Sequence, residues 1–299
     1  MVDILLSGLS QGLLWSIMAI GVYLTFRILD IADLSAEGSF PMGAAVCALL
    51  IVKGINPLLA TFGGMLGGML AGLVAGFLHT KMKIPALLTG IITLTGLYSI
   101  NLLILGRSNL PLTTETTLVT LFEDLGFSKT GAVLLLGAIF VSLVILVLYL
   151  LLNTQIGLAL RATGDNVDMG QANGIKIDRM KILGYMLSNG LIALSGALLA
   201  QNNGYADLNM GVGTIVIGLA SIILAEVIIK YLPLGKRLMS IVLGSILYRL
   251  VIVLILTTNI DAQMIKLVSA ALLAIILYIP EIRGKLGIKP SKSLMKEEN

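Results

Sequence analysis

Eight stretches of about twenty residues each, near 4–26, 57–79, 84–106, 131–152, 182–201, 211–229, 238–257 and 265–282, run almost without charge. About twenty apolar residues is the length a helix needs to cross the hydrocarbon of a bilayer at 1.5 Å per residue. Lipid offers no partner for a backbone N–H or C=O, so such runs fold as helices that satisfy themselves. The chain therefore reads as an all-α, polytopic integral membrane protein. Composition closes off the soluble alternatives: 57% of the 299 residues are hydrophobic and 12% are charged, too few charges to coat a surface in water. Disorder, a polar-surfaced enzyme and a nucleic-acid binder are excluded, the last despite a net charge of +4, because the basic residues are spread through short loops. The first run opens Met1-Val2-Asp3 without a basic leader and continues to Phe26, so it is expected to be a retained span rather than a cleaved signal.

A ninth apolar segment, 39–52, is too short for a straight crossing and follows the polar run Asp30-Ile31-Ala32-Asp33-Leu34-Ser35-Ala36-Glu37-Gly38. This predicts a broken helix whose cap is Ser39 and whose first turn holds Phe40 and Pro41. A helix N-terminus at membrane depth favours an anionic group such as an amino acid carboxylate. Asp33, Glu37 and Ser39 are thus candidate pathway residues; the competing reading is a capped, solvated loop at the interface. The bases between spans divide unequally. Arg27, Lys81, Lys83, Arg161, Lys176, Arg179, Lys181, Lys230, Lys236, Arg237 and the five of the tail lie on one side; Lys53, Arg107, Lys129 and Lys266 lie on the other. The richer side is expected to be cytoplasmic, with the C-terminus inside and 108–130 outside. If 39–52 completes a crossing there are nine spans and an outside N-terminus; if it is re-entrant there are eight and an inside one. Arg27 favours nine.

The longest cytoplasmic connection, 153–181, is built to be helical. Gly157 to Ala162 is expected to continue the fifth span, and Asp165 to cap a short helix through Val167, Met169 and Ala172 that stops at Gly174. A helix projecting into the cytosol is an attachment point. The alternative is a surface helix lying on the headgroups, but Asp165, Asp168 and Asp178 beside the loop's bases give it little attraction to anionic lipid. In the run 57–79, Gly64, Gly68, Gly72 and Gly76 recur at every fourth position, so a second helix is expected to approach backbone to backbone, within one subunit or between two. Three polar groups within spans are candidate pathway residues: Asn189, Glu226 near the cytoplasmic end of its span, and Arg249 near the middle of its own. Ionisable groups there call for a partner or a function. A direct Glu226–Arg249 pair is not expected, because antiparallel spans leave them roughly 12 Å apart in depth. Arg249 is expected to pair with backbone carbonyls or to line a pathway. No metal cluster is legible: the single histidine, His79, reads as interfacial, and the single cysteine, Cys47, as a small packing residue.

Arg161-Ala162, Asp165, Asp168, Ala172, Gly174-Ile175, Asp178 and Arg179, followed by a span with Ser188, Ala193 and Ser195-Gly196-Ala197, resemble the coupling loop of ABC-importer permeases of the branched-chain amino acid type. Gly12-Leu13-Leu14-Trp15-Ser16-Ile17-Met18-Ala19-Ile20-Gly21 resembles that family's first helix, and the likeness covers nearly the whole chain. Asp33 to Pro41 and Tyr205 to Gly211 look most like a subgroup associated with aromatic amino acid (tryptophan or tyrosine) uptake; the first departs from the Asn-Phe-Ala-His-Gly-Glu pattern of permeases for leucine, isoleucine and valine.

The resemblance implies a permease domain over 1–283, a basic cytoplasmic tail over 284–299, and a bacterial plasma-membrane location. It implies two permease copies around one pathway, most simply a homodimer. Two cytosolic ATPases would dock on the loops and hold ATP and Mg, with no cofactor on this chain, and an extracellular or lipid-anchored binding protein would deliver the solute. The absence of a GxxxxGK[ST] phosphate loop agrees with ATP hydrolysis on a separate partner. An ion- or proton-coupled secondary carrier is the alternative, though such a carrier has no need of a docking helix.

Overall fold

The computed structural model describes residues 2–228 and 233–256, with isolated positions between 267 and 278. The expected last span, 265–282, and the basic tail, 284–299, lie outside the described residues. In chain order come α1 (Val2–Tyr23), which passes into a π-helical turn over Leu24–Ile28, α2 (Ala36–Val52), α3 (Pro57–Thr80) and α4 (Ala86–Leu105). A short strand β1 (Asn109–Pro111) and α5 (Leu118–Asp124) lead to α6 (Lys129–Leu152). Next are α7 (Gln155–Asp165), α8 (Val167–Ala172), α9 (Ile177–Asn203), β2 (Tyr205–Asp207), a 3-10 turn over Leu208–Gly211, α10 (Thr214–Ile228) and α11 (Leu234–Leu256). Among the described residues, seven helices are long and apolar enough to cross a membrane, and α2 is a shorter apolar one.

The bundle is organised around α9, whose span is 78% buried. The glycine stripe of α3 lies on it: a Cβ at Gly68 would stand 2.2 Å from the Cβ of Ala193, and one at Gly72 would stand 2.3 Å from the Tyr185 carbonyl. Gly64 faces Ala197 and Gly76 faces Ile182 in the same way, so α3 and α9 run antiparallel at backbone contact. Close packing of this kind supplies the association that a hydrophobic drive provides in water. The partner of the stripe is thus a helix of the same chain. On another side of α9, Ser188 and Ser195 donate to the α1 carbonyls of Gly21 (2.7 Å) and Leu14 (2.8 Å), and Ser245 of α11 donates to Gly12 (3.0 Å). Helix α4 and α6 are peripheral, with Leu87, Leu88, Leu103, Leu146 and Leu150 exposed.

Three local expectations are corrected. First, α2 begins at Ala36 with Ser35 before it, so Ser39 lies inside the helix and is not its cap. The Asp33 carboxylate accepts from the Ser35 N–H at 2.8 Å, and the Ser35 carbonyl then accepts from Gly38 and Ser39, which starts the first turn early. Pro41 falls within the helix and has no N–H for the Glu37 carbonyl; the α-carbon of Gly211 packs against that carbonyl instead. Second, α6 does not continue through Gly157. It ends at Leu152, and Thr154 caps the new helix α7 by accepting from the Gly157 N–H at 3.3 Å. Gly157 itself lies against the Leu151 and Leu152 backbone, where a Cβ would meet the Leu151 carbonyl at 2.3 Å. Third, the cap of α8 is Asn166, which accepts from the Met169 N–H at 3.0 Å, while Asp165 closes α7. The stop at Gly174 is present, at φ +78°.

Candidate functional site

Between α1 and α2 the chain does not continue straight. After the π-turn, Asp30 adopts a left-handed conformation at φ +55°, which a short polar side chain tolerates, and residues 29–35 climb back along α9. Leu29 touches Gly184, and Asp33 reaches Asn189. Asn189 lies twelve residues from the start of α9, about 18 Å along its axis and so near the middle of the bilayer. There the Asn189 amide donates to Asp33 Oδ2 at 2.8 Å and to the Tyr185 carbonyl at 3.0 Å. Ser35 Oγ donates to Asp33 Oδ1 at 2.5 Å. All three side chains are buried. A carboxylate at this depth needs such donors, because an isolated charge in a low dielectric is too costly to keep. Glu37, on the opposite flank, accepts from the Gly213 N–H at 3.0 Å. The structure thus gathers Asp33, Glu37 and Asn189 around the break between α1 and α2. Among the described residues Ser39 Oγ has no hydrogen-bond partner, although it is buried there.

Glu226 and Arg249 belong elsewhere. Glu226 pairs with Arg27 at 2.5 Å, joining the π-turn to α10. Among the described residues Arg249 pairs with neither Glu226 nor a backbone carbonyl: its Nε donates to Gln11 Oε1 at 2.9 Å, its Nη2 donates to the same oxygen, and its guanidinium lies 5.8 Å from the Trp15 ring centroid. Trp15 stacks in turn on Phe40 of α2, with centroids 5.3 Å apart. Sequence reasoning missed Gln11, Ser35 and Arg27 as partners. Gln11 was the visible signal, a polar side chain within the apolar run 4–26.

Helices α7 and α8 lie at the end of the bundle where α3 finishes and α9 starts, beside the Lys81–Asp178 pair (2.8 Å, half-exposed). Leu160 and Thr163 are buried beneath α7, while Asp165, Val167, Asp168, Met169, Ala172 and Gly174 are exposed. Arg161 and Ala162 are partly buried, and Asp178 and Arg179 are exposed at the start of α9. Gly164 sits directly on the end of the π-turn: a Cβ there would lie 1.8 Å from the Ile28 carbonyl oxygen. An exposed two-helix projection is therefore in backbone contact with the segment that leads to Asp33 and Asn189. His79 stands at the same end, with Nδ1 2.9 Å from the Ile84 carbonyl. Cys47 is a buried thiol that meets the Gln201 amide at 3.3 Å.

The family model for the permease component of branched-chain amino acid transport systems matches residues 4–277. The chain belongs to that family. A tyrosine transport system permease of Clostridioides difficile is 41% identical over 292 residues, covering 98% of this permease and 95% of its relative. A ribose import permease of Bacillus subtilis is 33% identical over 203 residues, covering 66% and 60%. Among solved structures, an inward-facing metal-chelate type ABC transporter aligns with a TM-score of 0.54 at 17% identity, over 93% of this chain and 85% of that one; at that identity the likeness is one of fold. The chain is thus a multi-span membrane permease component of a transport system.

Proposed function

We propose that this permease carries an amino acid, of the aromatic class to which tyrosine belongs, inward across the bacterial plasma membrane. The energy comes from two ATPases that bind ATP and Mg, and an extracellular or lipid-anchored binding protein delivers the solute. Two copies of the chain enclose the pathway. The observation that carries the mechanism is the seat of Gly164 on Ile28, because it joins an exposed projection to the broken helix at the bilayer centre. Arg161, Ala162, Asp165, Asp168, Ala172, Gly174, Asp178 and Arg179 form the docking loop. Asp33, Glu37, Ser39 and Asn189 form the hinge that the loop moves, and Arg249 stands on the pathway. Closure of the ATPases on ATP displaces α7 and α8, and the rigid contact passes that movement to residues 28–35. A ligand shifts such an equilibrium only through different affinity for its two states, and ATP supplies that difference at the ATPases.

The same geometry supports a nine-span topology with the α7–α8 end in the cytoplasm and the N-terminus outside. Helix α1 runs antiparallel to α9, ending beside the docking loop, whereas α2 ends at the opposite face, where Asn56 caps the start of α3.

Reconstitution tests the energy source. The permease alone in liposomes should accumulate no tyrosine under a proton or sodium gradient, and adding the cognate ATPase, ATP and the loaded binding protein should start uptake. Gradient-driven accumulation by the isolated chain, abolished by Glu226→Gln, would refute the proposal.

A further inference from the structure

Arg249 is a cation near the middle of the bilayer, and its surroundings show which way it faces. On α11 the exposed side chains Met239, Leu243, Leu247, Val251 and Leu254 form one apolar stripe. At 100° per residue Arg249 falls on the opposite side of the helix from that stripe. It is nevertheless only partly buried, as are Gln11 and Trp15 beside it. A guanidinium that turns away from lipid and still keeps exposed surface faces an aqueous cavity or a second protein surface.

Among the described residues its bonding is also incomplete. The hydrogen bonds to Gln11 use Nε and Nη2, and a guanidinium carries five N–H donors. Among the described residues no carboxylate lies within ion-pair reach of it. Three acids of the neighbouring helices have partners of their own: Glu226 has Arg27, Asp33 has Ser35 and Asn189, and Glu37 has the Gly213 N–H. Gln11 and Trp15 hold the group from one side and fix its plane, leaving Nη1 presented. The fork of an arginine matches the two oxygens of a carboxylate, and that match is strongest where water is scarce.

We infer that Arg249, oriented by Gln11 and Trp15, is a carboxylate-binding residue on the translocation pathway, which receives the free α-carboxylate of the passing amino acid. This rests on the amino acid permease reading above and deepens it. Trp15 stacks on Phe40 at the start of α2, so the anion site and the broken-helix segment share one aromatic contact.

The test uses the permease–ATPase complex in detergent without binding protein, so that protection can arise only on the complex itself. The complex is treated with phenylglyoxal, and modification of Arg249 is followed by peptide mass spectrometry. Arg249 should react, L-tyrosine should slow the reaction several-fold, and L-tyrosinamide should not. In proteoliposomes with the binding protein, Arg249→Gln should lower ATP-driven tyrosine uptake by about tenfold while ATPase co-purification stays normal, and Arg249→Lys should recover part of the loss. An unreactive Arg249, equal protection by acid and amide, or wild-type uptake in Arg249→Gln would overturn the inference. ATP-driven uptake by the unmodified complex is the separate control, whose failure would refute the permease reading instead.

Discussion

Adding one methyl group at Gly164 should uncouple ATP hydrolysis from transport. The new Cβ would lie 1.8 Å from the Ile28 carbonyl oxygen, 2.7 Å from its carbonyl carbon and 2.9 Å from the Leu29 α-carbon. All three are backbone atoms, so no side chain can swing aside. A tolerable carbon–oxygen approach is about 3.3 Å, so α7 must retreat by roughly 1.5 Å from the π-turn. Overpacking of this kind costs about 1–3 kcal/mol, which a bundle seated on α9 should survive. What is lost is the contact that transmits movement, and in enzymes a displacement of about 1 Å at a remote positioning contact can cost a hundredfold. Gly164→Ala should therefore lower tyrosine uptake per ATP hydrolysed by at least about tenfold, with the complex still assembling. Gly96→Ala is the control: on α4 a Cβ there meets nothing within 4 Å, and alanine suits a helix better by about 1 kcal/mol. The assay compares uptake and ATP hydrolysis in the same proteoliposomes, alongside co-purification of the ATPase. Wild-type uptake per ATP in an assembled Gly164→Ala complex would refute the coupling route.

Removing the amide at Asn189 strands Asp33 Oδ2 at the bilayer centre; Asn189→Leu should cost about 1–3 kcal/mol, read as a lower midpoint of thermal unfolding in detergent, and an unchanged midpoint would contradict the buried cluster. For Arg27 and Glu226, joined at 2.5 Å and each about a quarter to a third exposed, a double-mutant cycle with glutamine should show a coupling of about 1 kcal/mol. Additive losses would mean that the pair does not tie the π-turn to α10. Topology is tested by a cysteine at Val2 in a Cys47→Ala background: an impermeant thiol reagent should label it on intact cells, and labelling only after permeabilisation would reject the nine-span arrangement.

A home in lipid, the course of the helices and a break in one of them were all legible along the chain. Those facts are local. An apolar run of membrane length has one stable backbone solution in hydrocarbon, and a polar nine-residue run from Asp30 to Gly38 beside a short apolar one interrupts it. The stripe Gly64, Gly68, Gly72 and Gly76 likewise announced a backbone-to-backbone contact before its partner was known. Gly174 marked a helix stop, because glycine carries the left-handed conformation without a Cβ clash. Which groups meet emerged only from the packing of the helices. Asp33 and Asn189, Arg27 and Glu226, and Gln11 and Arg249 are each separated by more than 150 positions, and no periodicity within one helix records its neighbour on another. That packing also decided the small shifts that local rules missed. The start of α2 moved ahead of Ser39 because the Asp33 carboxylate organised Ser35, and α7 broke from α6 because Thr154 supplied a cap. The seat of Gly164 on Ile28 is the clearest case. In sequence it is one glycine among thirty-three; in the fold it is the point where an exposed projection touches the broken helix, because only a residue without a side chain lets two backbones come that close.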